Sequence, residues 1–358
     1  MSDRKAKHQE IFDYAHEAIA SGRYADGDRI PTEAEFSARF SASRPTVARA
    51  IKELERMGLV ERRAGAGTFV RRAAPRQGGL FGLLIPGLGE IEIFDPIARQ
   101  IARELQARGH TALLGDSTES PERLAERYVE RKVAGVFFAP LELTPKKDVV
   151  NRRVLELLER AGIPVVLLDR DIVPYPARSR YDLVSIDHRR AAFLLGQHLL
   201  DLGMSRVDFA ARPLSATTVA LRIAGYQEAL LERGIQPRPE WIHWGDPEDV
   251  DFARRLVDRK QPRAVICAND VTAAQLMHSL DTLGAKVPER VRVVGFDDVR
   301  YSKLLRVPLT TVRQPLADLG TVATQAMLER KEKPALPGRL ILLHAPLVVR
   351  TSCGAGLK

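Results

Sequence analysis

From residue 80 onward the chain alternates short apolar runs with longer amphipathic segments, and this alternation restricts the fold more than any other feature. The amphipathic segments space their apolar residues as a helix does, for example at Ile97, Ile101 and Leu105. Such a pattern is typical of parallel strands crossed over by helices. We therefore predict a doubly wound α/β domain over residues 80–358.

The apolar runs fall into two groups, which predicts two α/β lobes with a cleft between them. The first group comprises LFGLLIP (80–86), TALLGD (111–116), AGVFFAP (134–140) and IPVVLLD (163–169). The second comprises LVSID (183–187), RVDFAA (206–211), EWIHWGD (240–246), AVICAND (264–270) and VRVVGFDD (291–298). The tail has a helical pattern at 315–331 and then a pair of runs, RLILLH and PLVVRT, joined through Ala345 and Pro346.

Residues 1–72 carry a different pattern, three helices and a hairpin, and residues 73–79 (AAPRQGG) suit a linker between domains. Thr32 and Glu35 have the spacing of a capping box, so a helix is predicted to start there. Ser43 is placed to cap the next helix. This small amino-terminal domain is predicted to be a winged helix-turn-helix.

The helix that begins after Ser43 has the features of a DNA recognition helix. Val47, Ile51 and Leu54 share its apolar face, so the side chains of Arg44, Thr46 and Arg49 point outward. Arginine can read guanine with two parallel hydrogen bonds, and threonine can contact phosphate or a thymine methyl group. The helix is therefore predicted to enter the major groove.

The hairpin that follows Gly58 is predicted to form the wing. Its turn contains Gly65 and Gly67, and a small tip of this kind could enter a minor groove beside Arg62 and Arg63. From residue 44 to residue 72 there are eight basic and three acidic residues, within a chain of net charge +9. The excess predicts a nucleic-acid partner, although a solvated basic face or a protein-binding module would give a similar pattern.

Three segments of this region resemble the winged-helix signature of the GntR family: DRIPTE (28–33), SRPTV (43–47) and GAGTFV (65–70). The resemblance covers residues 8–72 and implies binding to a double-stranded DNA operator. With the exposed cations above, it gives the following expected DNA-binding residues: Thr32, Glu33, Arg44, Thr46, Arg49, Arg62, Arg63, Gly65, Gly67 and Thr68.

Polar residues stand directly after several apolar runs of the larger domain, where ligands of open α/β sheets bind. Asp169 and Arg170, Asp187, Asn269 and Asp270, and Asp297 and Asp298 occupy such positions, and Arg222 opens a helical segment. Carboxylates, an amide and a guanidinium suit sugar hydroxyls or the edge of a heterocycle. The alternative for Asp187 and Asp270 is a helix N-cap.

Residues 80–352 resemble the effector domain of LacI-type regulators, which is similar to periplasmic sugar-binding proteins. The matching segments are LLDRD, SIDHRRAA, ALRIAGYQEAL, ICANDVTA, RVVGFDD and PLTTVRQP. The resemblance implies effector contacts at Asp169, Arg222, Asn269 and Asp297, with Phe94 in the loop after the first strand as a ring contact. It also implies lobe crossovers near 183–187 and 311–315, and a homodimer on a two-fold operator. We include Arg170 and Asp187 in the expected effector site.

Other classes of protein are disfavoured by missing motifs. There is no phosphate-cradling loop, no nucleophile elbow and no metal cluster among the eight histidines. His188 and His198 are predicted to lie on a helix surface, and Cys267 and Cys353 to be free thiols. We expect no enzymatic activity, no cofactor and no metal; an enzyme fused to a DNA-binding module and a carbohydrate-binding protein with a basic arm are the alternatives.

No run of apolar residues is long enough to span a membrane, and MSDRKAKHQEIFDY does not look like a secretory signal. We therefore expect a cytoplasmic protein with no membrane partner. The predicted function is a repressor that a small polar effector, a monosaccharide, releases from its operator. A co-repressor type of regulator responding to a purine stays open.

Overall fold

The computed structural model describes residues 7–63, 65–70, 78–89, 92–257 and 263–356. The chain divides after Gly78 into two compact units. Arg71, Arg72 and most of the predicted linker lie outside the described residues. The predicted domain bounds of 1–72, 73–79 and 80–358 therefore stay predictions.

The amino-terminal unit has three helices and one hairpin. The helices are α1 (Lys7–Ala20), α2 (Glu33–Phe40) and α3 (Arg44–Arg56), and the antiparallel strands are β1 (Val60–Arg63) and β2 (Gly67–Val70). Phe36, Val47 and Ile51 are buried in its core. Burial of this apolar face, rather than helix propensity alone, holds three short helices together.

Both predicted helix caps are present in this unit. The Thr32 hydroxyl accepts a hydrogen bond from the Glu35 amide at 3.3 Å, and Glu35 Oε2 accepts one from the Thr32 amide at 2.6 Å. The Ser43 hydroxyl accepts from the Thr46 amide at 3.4 Å. Ser41, with φ of 46°, ends α2 and leaves only a short turn before α3.

The carboxy-terminal unit has two lobes, each built on a parallel sheet. The first lobe has six strands in the order β13-β7-β6-β5-β3-β4. These strands are β3 (Leu80–Ile85), β4 (Thr111–Asp116), β5 (Gly135–Phe138), β6 (Val165–Leu168), β7 (Asp182–Ile186) and β13 (Leu340–Leu343). The helices that pack on them are α4 (Phe94–Ala107), α5 (Pro121–Glu130), α6 (Lys147–Arg160) and α11 (Leu316–Glu332).

The second lobe has four strands in the order β11-β10-β8-β9. These strands are β8 (Val207–Ala211), β9 (Ile242–Trp244), β10 (Arg263–Cys267) and β11 (Val291–Val294). Its helices are α7 (His188–Asp201), α8 (Thr217–Glu232), α9 (Val250–Val257) and α10 (Asp270–Thr282). A separate antiparallel pair joins β12 (Thr311–Val312) and β14 (Leu347–Val348).

The predicted grouping of strands was wrong for the run LVSID. Its strand, β7, lies in the first lobe between β6 and β13, not in the second. A fully buried parallel strand has the same apolar sequence pattern in either sheet. The sequence of β7 therefore could not show that the chain passes to the second lobe only after Ile186. The two apolar runs of the carboxy-terminal tail do not pair with each other. RLILLH joins the first sheet beside β7, whereas PLVVRT pairs with β12.

Three crossings therefore connect the lobes, after β7, after β12 and after β13. The first two fall where crossovers were predicted. In the described part of the chain, no helix combines the length and the apolar character that crossing a membrane would require.

Candidate functional site

The carboxyl ends of the strands meet between the lobes and carry residues in an unusual backbone conformation. Asp169 follows β6 with φ of 66°, and Asp297 and Asp298 follow β11 with φ of 120° and 55°. Side chains other than glycine rarely adopt such angles, and residues that do cluster at functional sites. The backbone amide of Asp169 donates to the Val184 carbonyl oxygen at 2.9 Å, and that of Asp297 donates to the Val312 carbonyl oxygen at 2.8 Å.

A group of polar side chains, here termed the cleft cluster, fills this region. Its members are Glu142, Asp169, Arg170, His188, Arg222, Asp297 and Gln314. On the first lobe the Arg170 guanidinium forms an ion pair with Glu142 and lies 3.3 Å from Asp169 Oδ2. The ring of Phe94 lies beneath this guanidinium at 5.1 Å.

On the second lobe Arg222 is the centre of the cluster. Its Nη2 lies 3.6 Å from Asp297 Oδ1, its Nη1 donates to the carbonyl oxygen of Ala268, and its guanidinium stacks 3.9 Å from the ring of Phe296. Gln314 donates from Nε2 to Asp297 Oδ1 at 2.7 Å. Arg222 lies in the second turn of α8, because that helix begins at Thr217, earlier than predicted.

His188 joins the two lobes through its ring. Nδ1 accepts hydrogen bonds from Arg222 at 3.2 and 3.3 Å, so the ring proton is on Nε2. Nε2 lies 3.1 Å from the Ser185 hydroxyl, which itself donates to the backbone oxygen of Asp169. Burial and the nearby Arg222 lower the pKa of His188 well below 6.5, so the ring is neutral.

The prediction of His188 as a helix-surface residue was wrong, since it is only 2% exposed. It is the first residue of α7 and therefore follows the first crossing between the lobes. His198 is also not simply on the surface: it is half-buried, and its Nε2 lies 3.4 Å from Cys353 Sγ. Helical spacing alone gave no sign of either environment.

The carboxyl groups of the cleft cluster differ in their pKa values. Burial raises the pKa of Asp297 to about 6, although Arg222 counters this effect. Burial also raises the pKa of Asp169, with Arg170 opposing. For Glu142 the balance goes the other way: burial would raise its pKa, but the ion pair with Arg170 keeps it below the ordinary value.

Four polar atoms of the cleft cluster are buried without a hydrogen-bond partner. Among the described residues, they are the acceptors Asp169 Oδ1 and Gln314 Oε1 and the donors Arg170 Nε and Nη1. Buried polar atoms are almost always satisfied in folded proteins. These four atoms are therefore candidates for contacts with a bound molecule.

Two of the residues predicted to bind an effector cap helices. Asp187 Oδ1 accepts from the Arg190 amide at 3.0 Å at the start of α7, and Asn269 Oδ1 accepts from the Thr272 amide at 2.8 Å at the start of α10. Asp270 is not an N-cap; it is buried and accepts from the Thr311 hydroxyl at 2.6 Å. Phe94 begins α4 rather than lying in a loop, and it is fully buried.

The sequence reasoning missed Glu142, Gln314, Phe296 and the site role of His188. Gln314 and Phe296 stand inside matched segments, PLTTVRQP and RVVGFDD, and could have been considered there. Glu142 lies in the loop after β5, several residues beyond the strand end. Only the folded loop brings it to Arg170.

Loops from the two lobes also touch directly beside the cluster. The Leu143 amide donates to the Leu214 carbonyl oxygen at 2.8 Å, and Lys147 Nζ donates to the Ser215 carbonyl oxygen at 2.6 Å. The Ala216 amide donates to Glu142 Oε2 at 2.8 Å. Glu142 thus binds an arginine on its own lobe and the amino end of α8 on the other.

An apolar cavity of about 260 Å³ adjoins the cleft cluster at the first crossing. It shares Asp169 and His188 with the cluster, and Ser185, Leu221 and Leu342 contribute to its wall. A larger cavity of about 850 Å³ lies around Tyr181 and Asp182, at the amino ends of the strands. Ligands of open α/β sheets bind at the carboxyl ends, so the larger cavity lies on the wrong side, and the smaller one reaches the cleft cluster at Asp169 and His188.

In the amino-terminal unit, α3 presents free cations to solvent. Arg44 and Arg49 are exposed, and no ion pair of either is found in the described part of this unit. The Thr46 hydroxyl lies 2.8 Å from the Ser43 hydroxyl. The arginines are thus available for a polyanion.

The wing cations, in contrast, have carboxylate partners. Arg62 pairs with Glu33 at 2.9 Å, which joins β1 to the start of α2, and Arg63 pairs with Glu61 at 2.6 Å. Of the other predicted DNA-binding residues, Thr32 is engaged in its cap and the Thr68 carbonyl oxygen accepts from the Ile30 amide at 3.0 Å.

The wing glycines have angles that other residues adopt only with strain. Gly65 and Gly67 have φ of 74° and 117°. A Cβ on Gly67 would also lie 2.7 Å from Arg29 Nε. Glycine at this position therefore allows the hairpin to pack closely on Arg29.

Comparison with known proteins gives two family matches that correspond to the two units. Residues 7–70 match the bacterial regulatory proteins of the gntR family, and residues 196–353 match the periplasmic binding protein-like domain. A winged helix-turn-helix joined to a two-lobed effector domain is the organisation of a DNA-binding regulator.

Individual relatives extend these matches over most of the chain. The chain is 27% identical over 353 residues to the arabinose metabolism transcriptional repressor of Geobacillus stearothermophilus, covering 93% of this chain and 94% of that protein. It is 31% identical over 293 residues to the transcriptional regulator MalR of Streptomyces coelicolor, covering 78% and 82%. Among solved structures, the regulator CelR in complex with cellobiose has a TM-score of 0.66 at 25% identity, covering 86% and 90%.

The chain belongs to the bacterial transcriptional regulators that combine a GntR-type helix-turn-helix with a LacI-type, periplasmic binding protein-like domain. It is a transcriptional repressor of this type. The predicted architecture is confirmed, as is the resemblance to both families.

Proposed function

We propose that the protein represses transcription as a homodimer on a two-fold operator and is released when a monosaccharide binds between the lobes. The observation that carries this proposal is a set of four polar atoms without hydrogen-bond partners, the acceptors Asp169 Oδ1 and Gln314 Oε1 and the donors Arg170 Nε and Nη1, in a buried cluster contacted by both lobes. Hydroxyl groups of a sugar can both donate to the acceptors and accept from the donors. That a relative acts in arabinose metabolism and a similar structure binds cellobiose supports a sugar.

The residues proposed to bind the effector divide by role. Asp169, Asp297 and Gln314 accept from hydroxyl groups, and Arg170 and Arg222 donate. Phe94 and Phe296 hold the two guanidinium groups in place. Asp187 and Asn269 contribute through the helix starts that they cap.

The residues proposed to bind DNA centre on α3. Arg44 and Arg49 contact the major groove, and Thr46 contacts the DNA phosphate backbone. The wing residues placed along the minor groove are Arg62, Arg63, Gly65, Gly67 and Thr68. Thr32 and Glu33 position the start of α2, and Glu33 also holds Arg62.

Coupling between the two functions follows from closure of the lobes. A ligand that binds one lobe arrangement better shifts the population toward it, and the spacing of the two DNA-binding domains of a dimer then changes. The coupling is reciprocal, so operator DNA must weaken effector binding by the same factor. A purine acting as co-repressor would instead strengthen operator binding.

A thermal-shift screen against neutral sugars and purines, followed by operator titration with each hit, tests this proposal. We expect a monosaccharide to raise the melting temperature and to lower operator affinity. A purine that raises both would replace the sugar with a co-repressor. The absence of enzymatic activity stays a prediction; the relatives compared are regulators.

A further inference from the structure

We infer that the effector is an uncharged, hydroxyl-rich molecule and that Glu142 is the residue that excludes anionic congeners such as sugar phosphates and sugar acids. The inference rests on the proposed function, since it concerns the same cleft. It goes further by assigning a charge class to the effector and a selective role to a residue in the loop after β5.

The interacting side chains of the cleft carry an excess of negative charge. Three carboxyl groups, on Glu142, Asp169 and Asp297, face two guanidinium groups, on Arg170 and Arg222. His188 does not add a positive charge, because its Nδ1 accepts hydrogen bonds from Arg222. With the carboxyl groups ionised, this set has a net charge of −1, from two positive and three negative groups.

Both guanidinium groups already have carboxylate partners, so neither offers an unneutralised positive charge to an anionic ligand. Arg170 is held between Glu142 and Asp169, and Arg222 is held by Asp297 and the Ala268 carbonyl oxygen. Arg212, at the end of β8, is half-buried and forms no ion pair with these carboxylates in the described part of the chain. A phosphate or carboxylate would therefore enter beside unneutralised negative charge, in a region where burial strengthens the repulsion.

The unsatisfied atoms point to the same class of ligand. Asp169 Oδ1 and Gln314 Oε1 are acceptors that need a donor on the ligand, whereas Arg170 Nε and Nη1 are donors that need an acceptor. Each hydroxyl of a neutral sugar can both donate and accept. A phosphate or carboxylate group at this position would bring further acceptors and leave both oxygens unsatisfied.

Glu142 is fixed in this arrangement by contacts to both lobes. One carboxylate oxygen pairs with Arg170, and the other accepts from the Ala216 amide at 2.8 Å. Its side chain is 21% exposed. The variant Glu142→Gln keeps an oxygen that can accept from Ala216 but removes the charge, which leaves the guanidinium of Arg170 with Asp169 as its carboxylate partner.

The test is calorimetric titration of the full-length protein with paired congeners. The pairs are D-glucose and D-glucose 6-phosphate, D-galactose and D-galacturonate, and D-ribose and D-ribose 5-phosphate, with L-arabinose as a further neutral sugar. We expect wild type to bind the neutral member of a pair at least about tenfold more tightly than the anionic member. Glu142→Gln should shrink that ratio by about tenfold.

Two further variants keep the inference falsifiable if Glu142→Gln lowers the melting temperature. Arg170→Gln should increase the discrimination against anions, because it removes a positive charge. Glu228→Gln, which breaks a surface ion pair between α8 and Arg189, should leave the ratio unchanged.

The inference is overturned if wild type prefers an anionic congener, or if Glu142→Gln leaves the ratio as it is. An anionic sugar that binds and releases the operator would contradict the charge assignment while supporting the proposed function. If no member of the panel binds and operator affinity is unaffected by all of them, the proposed sugar response fails, and the inference fails with it.

Discussion

His188 Nδ1 lies 3.2 Å from Arg222 Nη2 and 3.3 Å from its Nε, so a neutral histidine holds the arginine that centres the second lobe's part of the cleft. The other ring nitrogen contacts Ser185, on the strand that leads into the first crossing. The position and the protonation state of the His188 side chain thus affect both the cleft and the first crossing between the lobes.

This relationship predicts a specific dependence of stability on pH. Because burial lowers the folded-state pKa of His188, the unfolded chain binds this proton first as pH falls below about 6.5. The folded state should then lose up to about 1.4 kcal/mol per pH unit from this group. In His188→Gln this contribution to the slope of unfolding free energy against pH is absent. Urea unfolding of both proteins between pH 5 and pH 7.5 would measure it. Equal slopes in the wild type and the variant would contradict this role of His188.

Asp297 predicts a pH dependence of effector binding. Its pKa of about 6 means that the carboxyl group is ionised at pH 7.5 and largely protonated at pH 5. Protonation removes a charged acceptor for hydroxyl groups, so effector affinity should fall by up to about tenfold per pH unit below pH 6. Calorimetry at both pH values tests this.

The matched variant is Asp297→Asn, which should bind the effector weakly at every pH and keep its operator affinity. A wild-type effector affinity that stays constant from pH 7.5 to pH 5 would show that the Asp297 carboxylate does not bind the ligand.

Much of this site could be predicted from the sequence, because strand ends are visible in the pattern. Asp169, Arg170, Arg222 and Asp297 were located as residues that follow apolar runs or open a helix, and the fold brings them together. Glu142 could not be found in this way, since its place depends on the path of a loop. His188 was missed because helical spacing says nothing about which lobe a helix start faces.

Local sequence pattern also does not show which sheet a strand joins, and this explains why β7 was assigned to the wrong lobe. β7 is buried on both faces, so its sequence fits a central strand of either sheet. The caps at Thr32 and Ser43, in contrast, depend on contacts three residues apart and were predicted correctly.

Arg44 is predicted to read a base. Arg44→Ala should weaken binding to the cognate operator by about 1 to 3 kcal/mol and relax preference at one base position. Arg56→Ala, at the other end of α3, removes the same charge and serves as the control. Equal losses for both variants on cognate and random DNA would mean that Arg44 contributes only charge.

The ion pair between Arg62 and Glu33 is predicted to matter for DNA rather than for folding. Both side chains are more than a third exposed, so breaking the pair should change the free energy of unfolding by less than about 1 kcal/mol. If Arg62 contacts phosphate, Arg62→Ala should reduce the slope of log affinity against log salt by about one. If the slope of log affinity against log salt is unchanged in Arg62→Ala, Arg62 does not contact DNA phosphate.

The most direct test of the whole account is the operator affinity of full-length protein measured by fluorescence anisotropy, with and without a saturating neutral monosaccharide found in the screen. We predict that affinity falls by about fivefold or more, in the range of allosteric couplings, and that Asp297→Asn abolishes the response. A saturated protein whose operator affinity is unchanged would contradict it.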